Sequence, residues 1–270
     1  FNGSLFTVDW NFPQENFDAD YRRWGPGYWH QNTRLPYWSM LYAGDFEMMR
    51  GFFDMYVNAL PLAEERCRRH CGHPGAFFPE VMYFWGGYLE HNYGWPDERP
   101  DDLPAHRPQN NYIRRHNSSG LEVLYLALLA YRFSGDRTFL AEYVRPLAGP
   151  LIDYYDHHFP RSNGRLHISP AQVIEQWWEA TGPLPEIAGL HACLRALLAL
   201  PNGSFPEDTR RGWRRLLEKI PPLPTHSTDD KTVFSPAQSW EEPPRNVENP
   251  ELYAVFPYHR CGLDSPDLAV

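Results

Sequence analysis

Two kinds of helical segment alternate along this chain, and the alternation is the feature that most restricts its fold. One kind is apolar on nearly every side and occupies residues 36–43, 121–133 and 187–200. The other kind carries charges on one face and occupies residues 45–60, 136–159 and 206–220. A helix without a polar face has to be buried on all sides, whereas a helix with a polar stripe lies at the surface. The alternation therefore predicts two concentric layers of paired helices.

The connections between these segments alternate as well. Short turns such as Gly44-Asp45 and Gly135-Asp136 lead from a buried helix to a surface helix, the glycine ending one helix and the aspartate capping the next. The way back takes a long segment rich in aromatic residues, glycine and proline, at residues 72–117, 160–185 and 221–251. We therefore expect all long segments at one end of the bundle, above the N-termini of the buried helices. There is no convincing β-sheet pattern, and residues 231–234 and 252–256 could pair only locally.

Paired helices in an inner and an outer ring are the arrangement of an (α/α)6 toroid, which closes with six pairs. Three pairs can be identified in the sequence. We therefore expect an all-α toroid that forms an incomplete ring, with long loops at one end. Residues 1–270 are expected to be a single domain of this kind or its N-terminal portion, because the chain opens at Phe1 without an initiator methionine or a signal peptide.

Charge and hydropathy argue against two classes of partner. The chain has 25 Lys and Arg against 34 Asp and Glu, a net charge of −9, and its basic runs are short. A nucleic-acid-binding protein presents a basic face to phosphates, which this composition does not favour. No apolar run approaches the ~20 residues that are needed to cross a bilayer. We expect neither nucleic acid nor a membrane as a partner, and the sequence does not indicate the oligomeric state.

The cysteines do not form a disulfide framework. Cys67 and Cys71 are four residues apart, beside His70 and His73, and the other two cysteines stand alone. A structural zinc site needs a second pair of ligands, which this spacing lacks. Ordinary helix cysteines are therefore the favoured interpretation, and no metal or other cofactor is expected.

Four segments that mix aromatic and polar residues fall at the end where the long connections are predicted to meet. They are residues 29–34, 75–87, 167–183 and 246–260. The C–H faces of a sugar stack on aromatic rings, while its hydroxyls bond to amides, carboxylates and guanidinium groups. Carboxylates among rings also suit glycosidic hydrolysis, because desolvation keeps one carboxyl protonated while a better solvated one acts as base or nucleophile.

The same residues also have structural interpretations. Asn32 and Arg34 could cap a helix or bond to loop carbonyls, and most of the rings could belong to the core. Glu80 and Glu175 could form internal ion pairs, and Glu248 could lie on a solvated loop. The coincidence of four such segments at one end is what favours a site.

These segments resemble glycoside hydrolase family 95 and its relatives among the six-hairpin glycosidases. In that family paired asparagines precede an Asn-Tyr-Trp run. Here residues 30–32 (His-Gln-Asn) precede residues 36–38 (Pro-Tyr-Trp), so Asn32 matches the second asparagine and His30 replaces the first. Residues 252–257 (Leu-Tyr-Ala-Val-Phe-Pro) are similar to the family's Leu-Tyr-Gly-Leu-Tyr-Pro. The resemblance implies an (α/α)6 toroid and inverting hydrolysis of a terminal α-linked fucose or galactose of the L series.

The resemblance also implies roles for individual residues. A Ser-Pro-Glu segment supplies the family's general acid; residues 169–171 (Ser-Pro-Ala) match it in part, and the nearest downstream carboxylate is Glu175. Glu175 is therefore the candidate acid, and Asn32 and His30 are candidates for holding the water or a ring hydroxyl. In the family, an aspartate works with the paired asparagines on the attacking water. No counterpart of that aspartate is visible here, so the base is missing or is Glu248. The candidates for contacts with the sugar are Trp29, His30, Gln31, Arg34, Glu80, Trp177 and Trp178.

The sequence thus predicts an α-L-fucosidase-like glycoside hydrolase that acts on a terminal sugar of an oligosaccharide or polysaccharide. The resemblance implies a secreted or periplasmic location. Two alternatives stay open. One is a toroid of the polysaccharide lyase kind, which would use Tyr, His or Arg around the C5 proton of an acidic sugar. The other is a carbohydrate-binding protein without catalysis, which the departures at His30 and Ala171 leave possible.

Overall fold

The computed structural model describes residues 27–94, 99–229 and 231–262 of the chain. Most of the regular structure in these residues is helical. The helices are α1 (His30–Thr33), α2 (Leu35–Ala43), α3 (Phe46–Arg66), α4 (Glu90–Tyr93), α5 (Ser119–Ser134), α6 (Arg137–Phe139), α7 (Arg145–His158), α8 (Leu184–Leu198) and α9 (Glu207–Lys219). A π-helical turn, Cys67–Cys71, extends α3, and a second one, Leu140–Val144, joins α6 to α7.

The strands are short and form small antiparallel sheets. They are β1 (Tyr28–Trp29), β2 (Val81–Met82), β3 (Arg161–Ser162), β4 (Arg165–Leu166), β5 (Ala171–Val173), β6 (Trp177–Pro183), β7 (Thr225–Thr228), β8 (Lys231–Phe234) and β9 (Ala237–Trp240). Strands β5, β6 and β9 make a three-stranded sheet, and the other strands pair in twos.

The three helical pairs that the sequence predicts are confirmed. They are α2 with α3, α5 with α6–α7, and α8 with α9, with bounds close to the predicted ones. Helix α5 packs against both α2 and α8, while α3 packs against α7, as an inner and an outer layer require. None of the described helices is both long and apolar enough to cross a membrane.

Burial follows the predicted layers, with one departure. Residues 119–130 of α5 are all buried, and α3 buries one face along its length. In α2, however, Leu35 is 55% and Tyr42 57% exposed, so this apolar helix is not enclosed on all sides by the described residues.

The turns within the pairs are built largely as expected. Gly44 and Gly135 end their helices with φ of 82° and 69°, a left-handed conformation that glycine adopts without strain. Asp136 caps α6, because its carboxylate accepts a hydrogen bond from the Thr138 N–H at 2.8 Å. The capping bond expected of Asp45 is absent from the described structure.

The sheets correct the prediction of an all-α chain. Residues 171–183 were expected to be a loop, yet β5 and β6 form an antiparallel pair there, and both bury much of their surface. β5 is buried at every position and β6 shows no regular alternation of buried and exposed residues, so neither has the polar–apolar pattern that identifies strands in sequence. Local pairing at residues 231–234 is confirmed as β7–β8, whereas residues 252–256 begin in a 3-10 turn, Pro250–Ala254.

Gly75 marks a close contact between the loop after α3 and the helix α7. Its φ is +116°, and a Cβ there would lie 2.4 Å from the Tyr154 nitrogen and 2.6 Å from its Cα. The N–H of Ala76 donates to the Pro150 carbonyl at 2.8 Å, which holds the loop in place. Any side chain at position 75 therefore has to push the loop off α7.

We expect the substitution Gly75→Ala to lower the free energy of unfolding by at least about 2 kcal/mol, through backbone strain and overlap with Tyr154. Urea denaturation followed by circular dichroism measures this. The control is Gly51→Ala, because Gly51 lies within α3 and a Cβ there meets nothing within 4 Å. That variant should be unchanged or more stable by about 0.5–1 kcal/mol. Wild-type stability of Gly75→Ala would show that the loop does not pack on α7 in this way.

Candidate functional site

Side chains from four parts of the chain meet at the N-terminal end of α2, α5 and α8. Helix α1, the connection between α3 and α5, the β5–β6 turn and the segment after β9 each contribute. We call these side chains the polar network, which comprises Gln31, Glu80, His116, Glu175, Asn246 and Glu248. The long connections that the sequence predicts at this end supply all of them except Gln31, which lies on α1.

Gln31 joins two carboxylates of the polar network. Its backbone N–H donates to Glu80 Oε1 at 2.7 Å, and its side-chain Nε2 donates to Glu175 Oε1 at 3.3 Å. Asn246 Nδ2 donates to the other oxygen of Glu175 at 3.0 Å. The backbone N–H of Glu175 donates to Glu248 Oε2 at 2.8 Å. Glu175 and Glu248 are therefore held together, with both side chains partly exposed.

The surroundings shift the pKa of both carboxyl groups upward. Burial raises the pKa of Glu175 to about 7, and the negative charges of Glu80 and Glu248 add to this effect, against opposition from His116 and Asn246. Burial also raises the pKa of Glu248, although the hydrogen bond from the Glu175 N–H works the other way. Glu175 is thus protonated over much of the range near neutrality, as a proton donor has to be.

Glu80 carries the charge beneath Glu175. It is 1% exposed, and its Oε2 lies 3.1 Å from His116 Nδ1 and 3.2 Å from the Ser119 hydroxyl, which donates to it. Burial is the largest effect and opposes ionisation of Glu80, but the charge and hydrogen bond of His116, with the charge of His30 and the Gln31 N–H, together lower the pKa of Glu80. Burial likewise opposes a charged His116, but the charge and hydrogen bond of Glu80, with the charges of Glu186 and Glu248, together raise the pKa of His116 to about 9. The pair is therefore ionised inside the protein, which agrees with the interpretation of Glu80 as part of an internal ion pair.

A second buried carboxylate fixes the chain segment that carries Gln31. Glu122, on α5, accepts hydrogen bonds from Arg34 and from Trp38 Nε1, the latter at 2.7 Å. His30 Nε2 lies 3.6 Å from the same carboxylate. Burial opposes ionisation of Glu122, but Arg34 most strongly counters it, and the pKa of Glu122 falls to about 2. Helices α1 and α2 are thus tied to α5 through an ion pair.

One tryptophan of the predicted pair faces the site, and the other is in the core. Trp178 is partly exposed, and its Nε1 donates to the Glu175 carbonyl at 3.2 Å. The Tyr112 ring meets it edge-on at 4.8 Å, and the Arg245 guanidinium lies 5.1 Å from its centroid. Trp177 is buried. A partly exposed aromatic ring therefore adjoins Glu175.

The structure separates the predicted site residues by accessibility. Gln31, Arg34, Glu175, Trp178 and Glu248 are partly exposed, and Asn32 is exposed. The buried residues are Trp29, His30, Glu80 and Trp177. Because these four side chains are buried, they cannot touch a ligand in this conformation. They support the site and do not make the sugar contacts that were expected of them.

Asn32 and Arg34 do not match their expected roles closely. No hydrogen bond in the described part of the chain joins the Asn32 side chain to Glu175 or Glu248. Arg34 is occupied by Glu122, and its Nε donates to the Gln31 carbonyl at 3.2 Å. It therefore positions Gln31, the residue that does contact Glu175.

Sequence reasoning missed three residues at this end. His116 immediately precedes α5, and applying the end-of-helix argument to that helix would have found it. Asn246 lies in a segment that was singled out for its carboxylates alone. Glu186, in the first turn of α8, is fully buried, and burial raises its pKa to about 8. Nothing in its sequence context distinguishes it from a surface glutamate.

Two cavities of the described structure lie outside the polar network. One, of about 670 Å³, lies between α2 and α3 and includes Tyr37 and Trp85 in its lining. Another, of about 700 Å³, lies at the end of α3 and includes Cys67 and His158. Glu175 lines neither of them.

The chain was compared with known proteins: no family model matches it, and no curated protein matches it significantly. The chemistry of the polar network has to carry the functional assignment.

The ion pair of Glu122 generates a stability prediction. Glu122→Gln keeps an oxygen for Trp38 Nε1 but removes the charge that compensates buried Arg34, so unfolding free energy should fall by about 3 kcal/mol at pH 7. Because the pKa of Glu122 is about 2 in the folded protein, below its unfolded value, the ionised group stabilises above roughly pH 4.5. The difference from wild type should therefore shrink as the pH falls towards 2.

Urea denaturation at pH 7 and pH 3 measures both values. The control is Glu47→Gln, which disrupts an ion pair with Arg50 whose glutamate side chain is 80% exposed, and which should change stability little. An equally small effect of Glu122→Gln would show that the carboxylate is not a buried, paired charge.

Proposed function

We propose that this chain carries the catalytic end of a glycoside hydrolase that acts on a terminal sugar of a glycan. One observation supports this most: Glu175 and Glu248 share a hydrogen-bonded network, and the pKa of Glu175 is raised to about 7. Burial raises the pKa of Glu248 as well. Two neighbouring carboxyl groups, one acting as acid and the other as base, are what the reaction requires.

In the proposed reaction Glu175 donates its proton to the glycosidic oxygen as the bond to the anomeric carbon breaks. The bonding electron pair leaves with that oxygen, and the departing group becomes an alcohol. Ionised Glu248 accepts a proton from the water whose oxygen forms the new bond to the anomeric carbon. Solvent then returns the proton from Glu248 to Glu175.

The neighbours of Glu175 have defined roles in this proposal. Gln31 and Asn246 each donate to one oxygen of its carboxyl group and so fix its orientation. Burial raises the pKa of Glu175 most, and the buried negative charge of Glu80 adds to this by disfavouring a second charge nearby. Trp178 offers the ring on which the C–H face of a sugar stacks.

We also propose the finer fold, an (α/α)6 toroid of the six-hairpin glycosidase kind, related to glycoside hydrolase family 95 and secreted or periplasmic. The three consecutive helical pairs and the sharing of one end by the long connections support it. So does a set of exposed apolar side chains, on which further helical pairs could pack: Leu35, Tyr42, Phe133, Leu252, Val255 and Phe256. An α-L-fucosidase-like, inverting reaction follows from this relationship.

The test separates the acid from the base by the leaving group of the substrate. Glu175→Gln should lower kcat/KM roughly 100- to 10,000-fold on alkyl glycosides, whose leaving groups need protonation, and much less on dinitrophenyl glycosides. Glu248→Gln should lower kcat/KM on both substrates alike, because the attacking water needs the base whichever leaving group departs. The kcat/KM of wild type should decline as the pH rises through about 7, where Glu175 loses its proton. This decline should be absent in Glu175→Gln.

The matched control is Glu241→Gln, an exposed glutamate beside β9, which should keep full activity. Full activity of Glu175→Gln on alkyl glycosides would remove it from the mechanism. A product with a new double bond, seen by its near-ultraviolet absorbance, would instead indicate a lyase. Thermal stabilisation by sugars with no cleavage of any glycoside would indicate a carbohydrate-binding protein.

A further inference from the structure

A second group of reactive side chains lies at the C-terminal ends of α3 and α7, outside the polar network. The ligand atoms of Cys67, Cys71 and His73 all lie within 4.8 Å of one another. His158, the last residue of α7, places its Nδ1 2.9 Å from His73 Nε2. Cys71 and His158 also line the same cavity. Two sulfur atoms and two imidazoles therefore share one small volume.

The backbone builds this cluster from two separate elements. Cys67 and Cys71 are the first and last residues of a π-helical turn, and side chains four residues apart lie on the same side of a helix. Gly72, with φ of +77°, ends the turn and sends the chain to His73. The contact of Gly75 with α7 then holds His73 against the last turn of that helix. Sequence spacing alone did not reveal His158, because it is 85 residues from His73.

The orientation of His73 suits a ligand. Its Nδ1 lies 2.7 Å from the Pro74 carbonyl, which can only accept, and 3.8 Å from Cys67 Sγ. Nδ1 therefore carries the hydrogen and Nε2 has the lone pair, so the ring has to turn Nε2 towards the sulfur atoms when a cation binds. That lone pair faces His158. Metal-bound histidines commonly donate their second ring N–H to a carbonyl in this way. The His158 ring is itself fixed by stacking on Tyr154 at 4.7 Å between centroids.

Distance and donor type point to one cation. Two thiolates and two imidazoles in a tetrahedral arrangement are a Zn²⁺ ligand set. With Zn–N bonds of about 2.0–2.1 Å, two ligating nitrogens stand about 3.3 Å apart, so the imidazoles need to separate by only a few tenths of an ångström. Cys67 is buried, whereas Cys71 and His158 are exposed and line the cavity of about 700 Å³ at the end of α3. The cavity gives a path of entry.

We propose that Cys67, Cys71, His73 and His158 together bind one Zn²⁺. The cation joins the end of α3 to the end of α7, two helices of the outer layer that belong to neighbouring helical pairs. Its role is structural, because four protein ligands leave no position for a substrate.

The full-length chain is loaded with Zn²⁺ under reducing conditions, dialysed, and its metal content measured by mass spectrometry. We expect one Zn²⁺ per chain. Replacement by Co²⁺ should give the visible absorption of a tetrahedral site together with thiolate-to-cobalt charge transfer. Competition with a chelator should show that Cys71→Ser and His158→Gln each lower Zn²⁺ affinity at least tenfold, since even the loss of an outer partner costs about that much.

The control variants are Cys261→Ser and His157→Gln. Cys261 belongs to the segment after the 3-10 turn, and His157 precedes His158 on α7 but bonds to the Asp153 carbonyl. Both controls should keep wild-type affinity, and Zn²⁺ should raise the melting temperature of wild type and controls but not of the two ligand variants. Cys71 and His158 are exposed, so their replacement leaves the core intact.

Three results would overturn the proposal. The first is a chain that retains no Zn²⁺ after dialysis, and the second is equal Zn²⁺ binding by all variants, which would place the ion elsewhere. The third is a Cys67–Cys71 disulfide in peptide mapping of the protein prepared without reductant, combined with unchanged stability on adding Zn²⁺. None of these measurements involves glycoside cleavage, so the site stands or falls independently of the proposed hydrolase.

Discussion

The interaction between buried Glu122 and the Arg34 guanidinium determines where the rest of the candidate site lies. An unpaired carboxylate in the core would cost several kcal/mol, so α5 can bury Glu122 only with α2 positioned to supply Arg34 and Trp38. Arg34 also holds the carbonyl of Gln31 through its Nε. Because one turn of helix separates these two residues, the position of Arg34 sets that of Gln31, whose amides reach Glu80 and Glu175. A stability constraint in the core thus becomes a geometric constraint at the surface.

Glu80 adds an electrostatic constraint to that geometric one. Glu80 is ionised within the protein because His116 stands beside it. His116 compensates the buried charge, but the charge of Glu80 still acts on Glu175. Glu175 is itself partly buried and lies near two negative charges, those of Glu80 and Glu248. Burial of Glu175 itself is the largest cause of the upward shift in its pKa, and the negative charges of Glu80 and Glu248 add to it. The charge of Glu80 acts strongly because that side chain is buried, where solvent screens it little.

The helical pairs and the end that they share could be read from the sequence, because hydrophobic periodicity is a local property and the short and long connections alternate regularly. The β5–β6–β9 sheet could not, because β5 is buried at every position and buried residues do not alternate regularly with exposed ones in β6 and β9. That sheet decides that Trp178 faces solvent while Trp177 enters the core, so the sequence identified the pair without separating its members. The partnership of Glu80 with His116, and of His73 with His158, depends on contacts between distant segments. No spacing rule within a single segment contains them.

The charge state of Glu175 is the claim on which the proposed chemistry rests, and it can be measured directly. Carbon-13 NMR of the chain labelled at glutamate side-chain carboxyl carbons, titrated from pH 3 to pH 9, gives the pKa of each resonance, and the spectrum of Glu175→Gln identifies the one that belongs to Glu175. The account predicts a midpoint of about 7 for that resonance. A midpoint at the ordinary value of 4.5 would contradict it, because Glu175 would then be ionised at neutral pH and could not act as the acid.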